Sequence, residues 1–426
     1  MKELALALFV ATYALLLFLP KYRTYVALGA ATLFVVLGIL PISRVPSAID
    51  FNVLMMIGGT MGIVWLFIES KMPALLADFI LDKTPNVKWA IISLALFAGI
   101  ISAFIDNVAT VLMVAPVAMT IAKKLKINPI NPIIAIAVSS NLQGAATLVG
   151  DTTSILLGGA ANMNFLDFFW FQGRMGMFFV VEISAFLSMV ILMWLFRNEK
   201  QVIHLEEKQV VTDFFPSFLL GGMVIALITA SILPINDPFL SKYINGIICV
   251  SLLAIGLVYE FLYNKNPQNV KAALKDIDYQ TLFLLAGLFV VIGGITQVGV
   301  IDDIANLFAT VSGSNPFIIF TLVVWASVFL SAFIDNIPYV ATMLPVMASL
   351  STTLGISPYL LYFGLLTGAT LGGNLTPIGA SANIAGLGIL RKEGYEVTPL
   401  QFMKIGVPFT LVAVIAGYVM IWFLWS

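Results

Sequence analysis

The sequence predicts an all-α polytopic membrane protein made of two inverted repeats of five spans each, every repeat carrying a re-entrant hairpin and a broken helix. Three observations carry this. Of 426 residues, 60% are hydrophobic and only 10% charged, with a mean hydropathy of +1.03, whereas soluble domains carry roughly 25% charged residues. The hexapeptide SAFIDN stands at Ser102–Asn107 and again, letter for letter, at Ser331–Asn336, an offset of 229. At that same offset, SSNLQGAATLVGDTTS and GATLGGNLTPIGASAN interrupt apolar sequence with Gly, Ser, Thr and Asn.

Composition also excludes several functions. A net charge of -1 offers no bulk basicity for nucleic acid. The lone Cys249 rules out an internal disulfide or a thiolate metal cluster. His204, the one histidine, lies in the polar stretch RNEKQVIHLEEKQ and reads as a solvated loop residue. No cofactor, transition metal or enzymatic chemistry is expected.

The first repeat is expected over residues 1–200. Spans fall at 3–19, 24–40 and 51–68; the N-terminal stretch has no small-residue cleavage pattern before Lys21 and reads as a retained span. Residues 89–122 hold no Lys or Arg, and one helix of that length would be about 50 Å long, too long for a hydrocarbon core of about 30 Å. A re-entrant hairpin with Asp106–Asn107 at its tip fits instead. A broken helix over 130–161 and a closing span over 174–196 complete the repeat. A cytoplasmic linker follows at 201–213. The second repeat, 214–426, has spans at 214–233, 243–262, 279–297 and 404–425, a hairpin over 316–350 tipped by Asp335–Asn336, and a broken helix over 358–390.

Charge bias tests this order. With the N-terminus outside and both hairpins returning to the side they left, all of the 21 basic residues except Lys2, Arg44, Arg174 and Lys242 fall in the cytoplasm. The two hairpins then enter from opposite sides. Further pairs support the repeat: Thr147 with Thr376, Gly150 with Gly379, Asp50 with Asp278, and Lys21–Tyr22 with Lys242–Tyr243.

The membrane-depth acids are Asp106, Asp335, Asp151 and Glu182, and no Lys or Arg is expected at comparable depth. A charge at the bilayer centre costs at least about 2.5 kcal/mol, so acids without basic partners must be protonated, cation-bound or wet. This favours a bound proton or sodium, with sodium expected at Asp106/Asn107 and Asp335/Asn336. Asn107, Thr110, Asn336 and Thr342, with loop carbonyls, are candidate oxygen ligands. Helix N-termini at the tips and breaks could receive an anionic solute without a basic side chain. Asn141, Gln143, Thr147, Thr152, Thr153 and Ser154 in one half, and Asn374, Thr376, Ser381 and Asn383 in the other, line the breaks, and Gly150 and Gly379 permit close backbone approach. Glu182 reads either as a proton relay or as a neutral buried acid. Asp151 has Ala380 opposite it, so the coupling ion is expected first on the first-half side.

SAFIDNVATVLMVAPV, ATLVGDTTS, SAFIDNIPYVATMLPV and GGNLTPIGASAN resemble the paired signatures of the ion transporter superfamily, specifically the ArsB and P-protein permease branch. NhaD-type sodium/proton antiporters and divalent anion/sodium symporters are related. The resemblance implies a dimerising scaffold domain, a transport domain of hairpins and broken helices, and elevator-like movement. In the symporters the tip motifs matched by Asp106–Asn107 and Asp335–Asn336 help bind sodium, and the Gly150 and Gly379 loops match their partners. Many P-type relatives have Pro-Pro-Asn where this chain has Thr152–Thr153–Ser154.

The expected function is a proton- or sodium-coupled secondary transporter of a small solute, in a prokaryotic inner membrane and as a homodimer. Arsenite or antimonite, a small organic or inorganic anion, and sodium exchanged for protons all stay open as cargo. A passive channel and an intramembrane aspartyl protease are the other classes. A protease dyad needs two carboxyls sharing a proton, which tips entering from opposite sides do not suggest.

Overall fold

The structure, a computed structural model, describes residues 1–125, 127–202, 211, 213–313 and 315–426. His204, Lys126, Lys208 and most of the expected linker lie outside the described residues. The first half runs α1 (Lys2–Phe18), α2 (Arg23–Val36), the single turn α3 (Val45–Ala48), α4 (Phe51–Glu69), α5 (Met72–Leu81), α6 (Val87–Ser102), α7 (Asn107–Leu125), α8 (Ile130–Gly144), α9 (Thr152–Ala161), a short hairpin of β1 (Trp170–Phe171) and β2 (Arg174–Met175), and α10 (Met177–Leu195). The second runs α11 (Phe215–Ile232), α12 (Pro238–Leu262), α13 (Pro267–Asp276), α14 (Tyr279–Gln297), α15 (Val300–Ser312), α16 (Pro316–Ser331), α17 (Asn336–Leu354), α18 (Pro358–Leu366), α19 (Ser381–Lys392) and α20 (Pro399–Trp425). Among the described residues, eight helices are long and apolar enough to cross a membrane, or up to ten if each of two bent pairs makes one span. The protein is an integral membrane protein.

Capping residues explain the boundaries. Asp50 and Asp278 occupy corresponding positions before α4 and α14 and accept from Val53 N and Thr281 N at 3.1 and 3.0 Å, satisfying amides that the helix leaves unpaired. Asp237 and Thr398 cap α12 and α20, each followed by Pro at the first helical position. Those helices therefore start five residues before the apolar runs at 243 and 404. Conversely, α2 stops at Val36 rather than 40, because Gly38 turns the chain with a φ of 71°.

Each expected hairpin is a pair of helices of 16 and 19 residues, α6 with α7 and α16 with α17. Four residues, Ala103–Asp106 and Ala332–Asp335, separate the arms. The broken helix of the second half includes a π turn over Thr367–Leu371 before its non-helical loop.

Packing interlocks the halves. α12 lies along α4 and α2 along α14. Small residues allow it: a Cβ on Gly59 would stand 2.6 Å from the Cys249 backbone, and one on Gly287 would stand 2.8 Å from that of Ala27. Gly58 faces Leu282 and Gly293 faces Ala48, so α4 and α14 run antiparallel. Around the breaks the exchange repeats, with α9 packed on α17 and α18, and α19 packed on α7 and α8.

Candidate functional site

The two turns are built alike. Asp106 accepts from Val108 N and Ala109 N at 3.0 and 3.1 Å, and Asp335 accepts from Ile337 N at 3.2 Å. Each carboxylate thus starts the second arm of its hairpin. In the facing loops, the Thr147 hydroxyl donates to Ala103 O and the Thr376 hydroxyl to Ala332 O. The Val149 and Ile378 amides return bonds of 3.4 Å to those hydroxyls. Glycine is needed beside them: a Cβ on Gly150 would meet the carbonyl oxygens of Gly144, Ser102 and Ala103 at 2.5–2.6 Å, and one on Gly379 would meet those of Gly373, Ser331 and Ala332 at 2.5–3.0 Å.

The breaks meet through a buried amide network. Asn107 Nδ2 donates to Asn141 Oδ1 at 3.0 Å, while Asn141 Nδ2 donates to Thr370 O at 2.8 Å and to Asn374 Oδ1 at 3.1 Å. Asn374 Nδ2 donates to Val138 O at 2.8 Å. Thr153 Oγ1 donates to Asp151 Oδ2 at 3.0 Å and lies 2.9 Å from Thr370 Oγ1. Asn383 Nδ2 donates to Gly373 O and Thr376 O.

In front of this network lies a cavity of about 390 Å³. Asp106, Asn107, Asp151 and Thr152 reach it from the first half, and Asn336, Ile337 and Ser381 from the second. Met61, Trp65 and Ile68 of α4 form an apolar wall, and Asp276, Asp278 and Thr281 also line it. Its lining contains no Lys or Arg. Gly150 lines a small pocket behind it with Asp106 and Asp151. The other nominated residues stand elsewhere. Thr110 and Thr342 return their hydroxyls to Asp106 O and Pro338 O at 3.0 Å, and Asn141, Thr147, Asn374, Thr376, Gly379 and Asn383 lie in the loops and network behind. Glu182 sits on α10, lines none of these cavities and has a buried oxygen without a hydrogen-bond partner.

One expectation fails. Asp335 does have a basic partner: Arg23 Nη1 stands 3.0 Å from its Oδ2, with side chains only 23% and 11% exposed. Position along the chain does not fix the depth of Arg23. α1 and α2 instead meet at a bend of 113°, which carries the start of α2 to the second tip. Arg23 and Asp335 line a smaller cavity of about 180 Å³ with Lys21, Thr24, Gln280 and Ser381, next to the first. Ser381 Oγ also donates to Asp335, at 3.2 Å.

A further cavity of about 670 Å³ opens beside the start of α4, lined by Asp50, Asn52, Ser241, Lys242, Ile244 and Asn245 with Gly158 and Gly159 of α9. Asp50, Asn52, Lys242 and Ile244 are the repeat counterparts of Asp278, Gln280, Lys21 and Arg23. Corresponding sequence positions thus frame this cavity and the one at Arg23, but one holds the second tip and the other the end of α9.

A polytopic helical chain with paired breaks around a shared polar cavity is a membrane transporter. The CitMHS model, described as citrate transporter, matches residues 13–368, and the chain belongs to that family. It is 30% identical to an uncharacterized transporter of Mycobacterium tuberculosis over 99% of this chain and 98% of that one. It is 27% identical to the human P protein over 97% of this chain and 59% of that longer protein, in keeping with the resemblance to the P-protein side of the superfamily. Among solved structures, the YdaH transporter of Alcanivorax borkumensis aligns with a TM-score of 0.58 at 16% identity, covering 89% of this chain and 86% of that one. MtrF of Neisseria gonorrhoeae, described with a class of antimetabolite efflux pumps, also gives 0.58 at 16% identity, over 89% and 82% of the two chains. These two share the fold.

Proposed function

We propose that this CitMHS-family transporter couples a proton or sodium ion, held at Asp106–Asn107–Asp151, to movement of a small solute through alternating access. The observation that carries the reading is two carboxylates from one half facing a cavity shared with the other half and free of basic lining residues. At that depth each carboxylate needs a proton, a cation or water. Hard cations take oxygen ligands, and Ser102 Oγ, Ser154 Oγ and Asn383 Oδ1 are buried oxygens without hydrogen-bond partners. The family description makes a citrate-like carboxylate the first solute to try, ahead of arsenite or an inorganic anion; such an anion enters this acidic cavity only with cations beside it.

The halves act as an inverted pair in this reading. Antiparallel α4 and α14, with matching caps and matching loop bonds, support it. Scaffold corners that are alike, one holding the second tip and the other the end of α9, support movement of the tips and breaks as one elevator-like unit, within a homodimer. The charge bias supports an Asp278 face in the cytoplasm and an N-terminus outside. A sodium/proton antiporter is the second reading, favoured by the absence of a basic group in the central cavity.

Proteoliposomes test both. Citrate, arsenite and sodium uptake are measured under separately imposed proton and sodium gradients. Coupled flux that disappears in Asp106→Asn and Asp151→Asn supports the reading. Coupling that survives in both variants removes the proposed ion site, and flux indifferent to both gradients makes the protein a passive channel.

A further inference from the structure

The Arg23–Asp335 ion pair has no equivalent at the first tip. The tips are identical in sequence, but the scaffold corners are not: Lys21–Tyr22–Arg23–Thr24 stands against Lys242–Tyr243–Ile244–Asn245. An apolar residue replaces the one guanidinium. Asp106 has no ion-pair partner among the described residues.

Arg23 is itself held. Its Nε donates to Leu16 O at 3.3 Å, the neighbouring Thr24 hydroxyl donates to Gln280 O at 3.0 Å, and the Tyr13 hydroxyl donates to Pro338 O at 3.0 Å, two residues beyond the tip. The corner between α1 and α2 therefore grips the second tip from a fixed position on α14. Resting on the alternating-access reading above, we propose that Arg23 is a tethered counter-cation that latches the second tip, occupying Asp335 in place of a mobile cation while the cavity opens on the Asp278 face. The pair has to part before the tip crosses. A first tip brought to the opposite corner meets Ile244 and finds no latch, so the protein rests with the Asp278 face open. Arg23 is a positioning residue here, and a cation at Asp335 competes with it.

The test reads sidedness. In a Cys249→Ala background, a single cysteine replaces Ala109, which lines the central cavity, and proteoliposomes are labelled from either side with a membrane-impermeant maleimide. The parent labels faster from the Asp278 face. Arg23→Gln and Asp335→Asn each move the ratio of the two rates by about tenfold toward the opposite face, the size expected when one state loses a contact it alone makes. The double neutral variant moves it no further than either single, because both remove one interaction. Arg23→Lys keeps the parent ratio, and Asp335→Asn retains an oxygen to accept from Ile337 N, which separates loss of the pair from misfolding. An unchanged ratio in Arg23→Gln, or single effects that multiply in the double variant, overturns the latch. So does loss of citrate binding with sidedness unchanged, which would make Arg23 a solute ligand. If no protein labels from the opposite face under any gradient, alternating access fails together with the latch. If the parent switches face with the gradients but ignores Arg23, only the latch fails.

Discussion

The two hairpin tips share six residues, a capping carboxylate and a threonine-to-carbonyl clasp, yet Asp106 faces a cavity without a basic residue while Asp335 is ion-paired to Arg23. Identical local sequence produced closely similar turns, differing by one cap bond because Pro338 has no N–H to match that of Ala109. It did not produce identical electrostatics, because the partner of Asp335 comes from a corner that the repeat changed. In the proposed reading, the first tip exchanges a cation with the cavity, and the second exchanges its contact with Arg23.

The comparison can be broken most forcefully at the glycines. Gly150→Ala and Gly379→Ala each push a methyl group into three carbonyl oxygens, and overpacking of this kind costs about 1–3 kcal/mol or more. Both variants are expected to lose transport and to lower the Tm of the purified protein by similar amounts; a harmless Gly379→Ala would mean the second clasp has relaxed. Next in size, Asp106→Asn is expected to reduce ion-coupled uptake by roughly ten- to a hundredfold. Asp335→Asn should cost less uptake than Asp106→Asn in the same assay, and equal losses would erase the distinction between the tips. Thr147→Val and Thr376→Val each remove the hydroxyl's bond to a carbonyl and the longer bond it accepts from an amide, about 1 kcal/mol for the stronger of the two, and should lower Tm by comparable small steps. Smallest are Thr110→Val and Thr342→Val, whose hydroxyls only bond back to their own helices; uptake within about twofold of the parent is expected, since exposed or back-bonded groups of this kind contribute little.

Much of this was legible in sequence. The helix pair at each SAFIDN follows from the length of uninterrupted apolar sequence; Thr147 and Thr376 stand out as a pair at one offset, but as pocket lining rather than as the clasp each makes to its tip. Asp50 and Asp278 were recognisable as a pair, though as repeat markers rather than helix caps. Arg23 was not legible as the partner of Asp335. Its position depends on a bend between two helices and on which helix of the other half receives α2, and neither is written in periodicity. The amide network of Asn107, Asn141 and Asn374 was seen as pocket lining because polarity alone does not distinguish a group facing a cavity from one facing a carbonyl. Unexpected helices such as α5 and α15 follow α4 and α14 in both halves; their short, mixed-polarity sequences fall below the length that marks a span.

The exchange of scaffold helices bears on how the chain is made. α2 rests on α14 and α4 rests on α12, so these earlier helices have small-residue faces shaped for partners synthesised more than 180 residues later. Until those partners arrive, Gly59 and Ala27 face lipid or the insertion machinery. Each half thus leaves its small-residue faces uncovered without the other. A chain cut after the first repeat would insert but could not close, and co-expressing the two halves should restore the scaffold only if both are present in the same membrane at the same time.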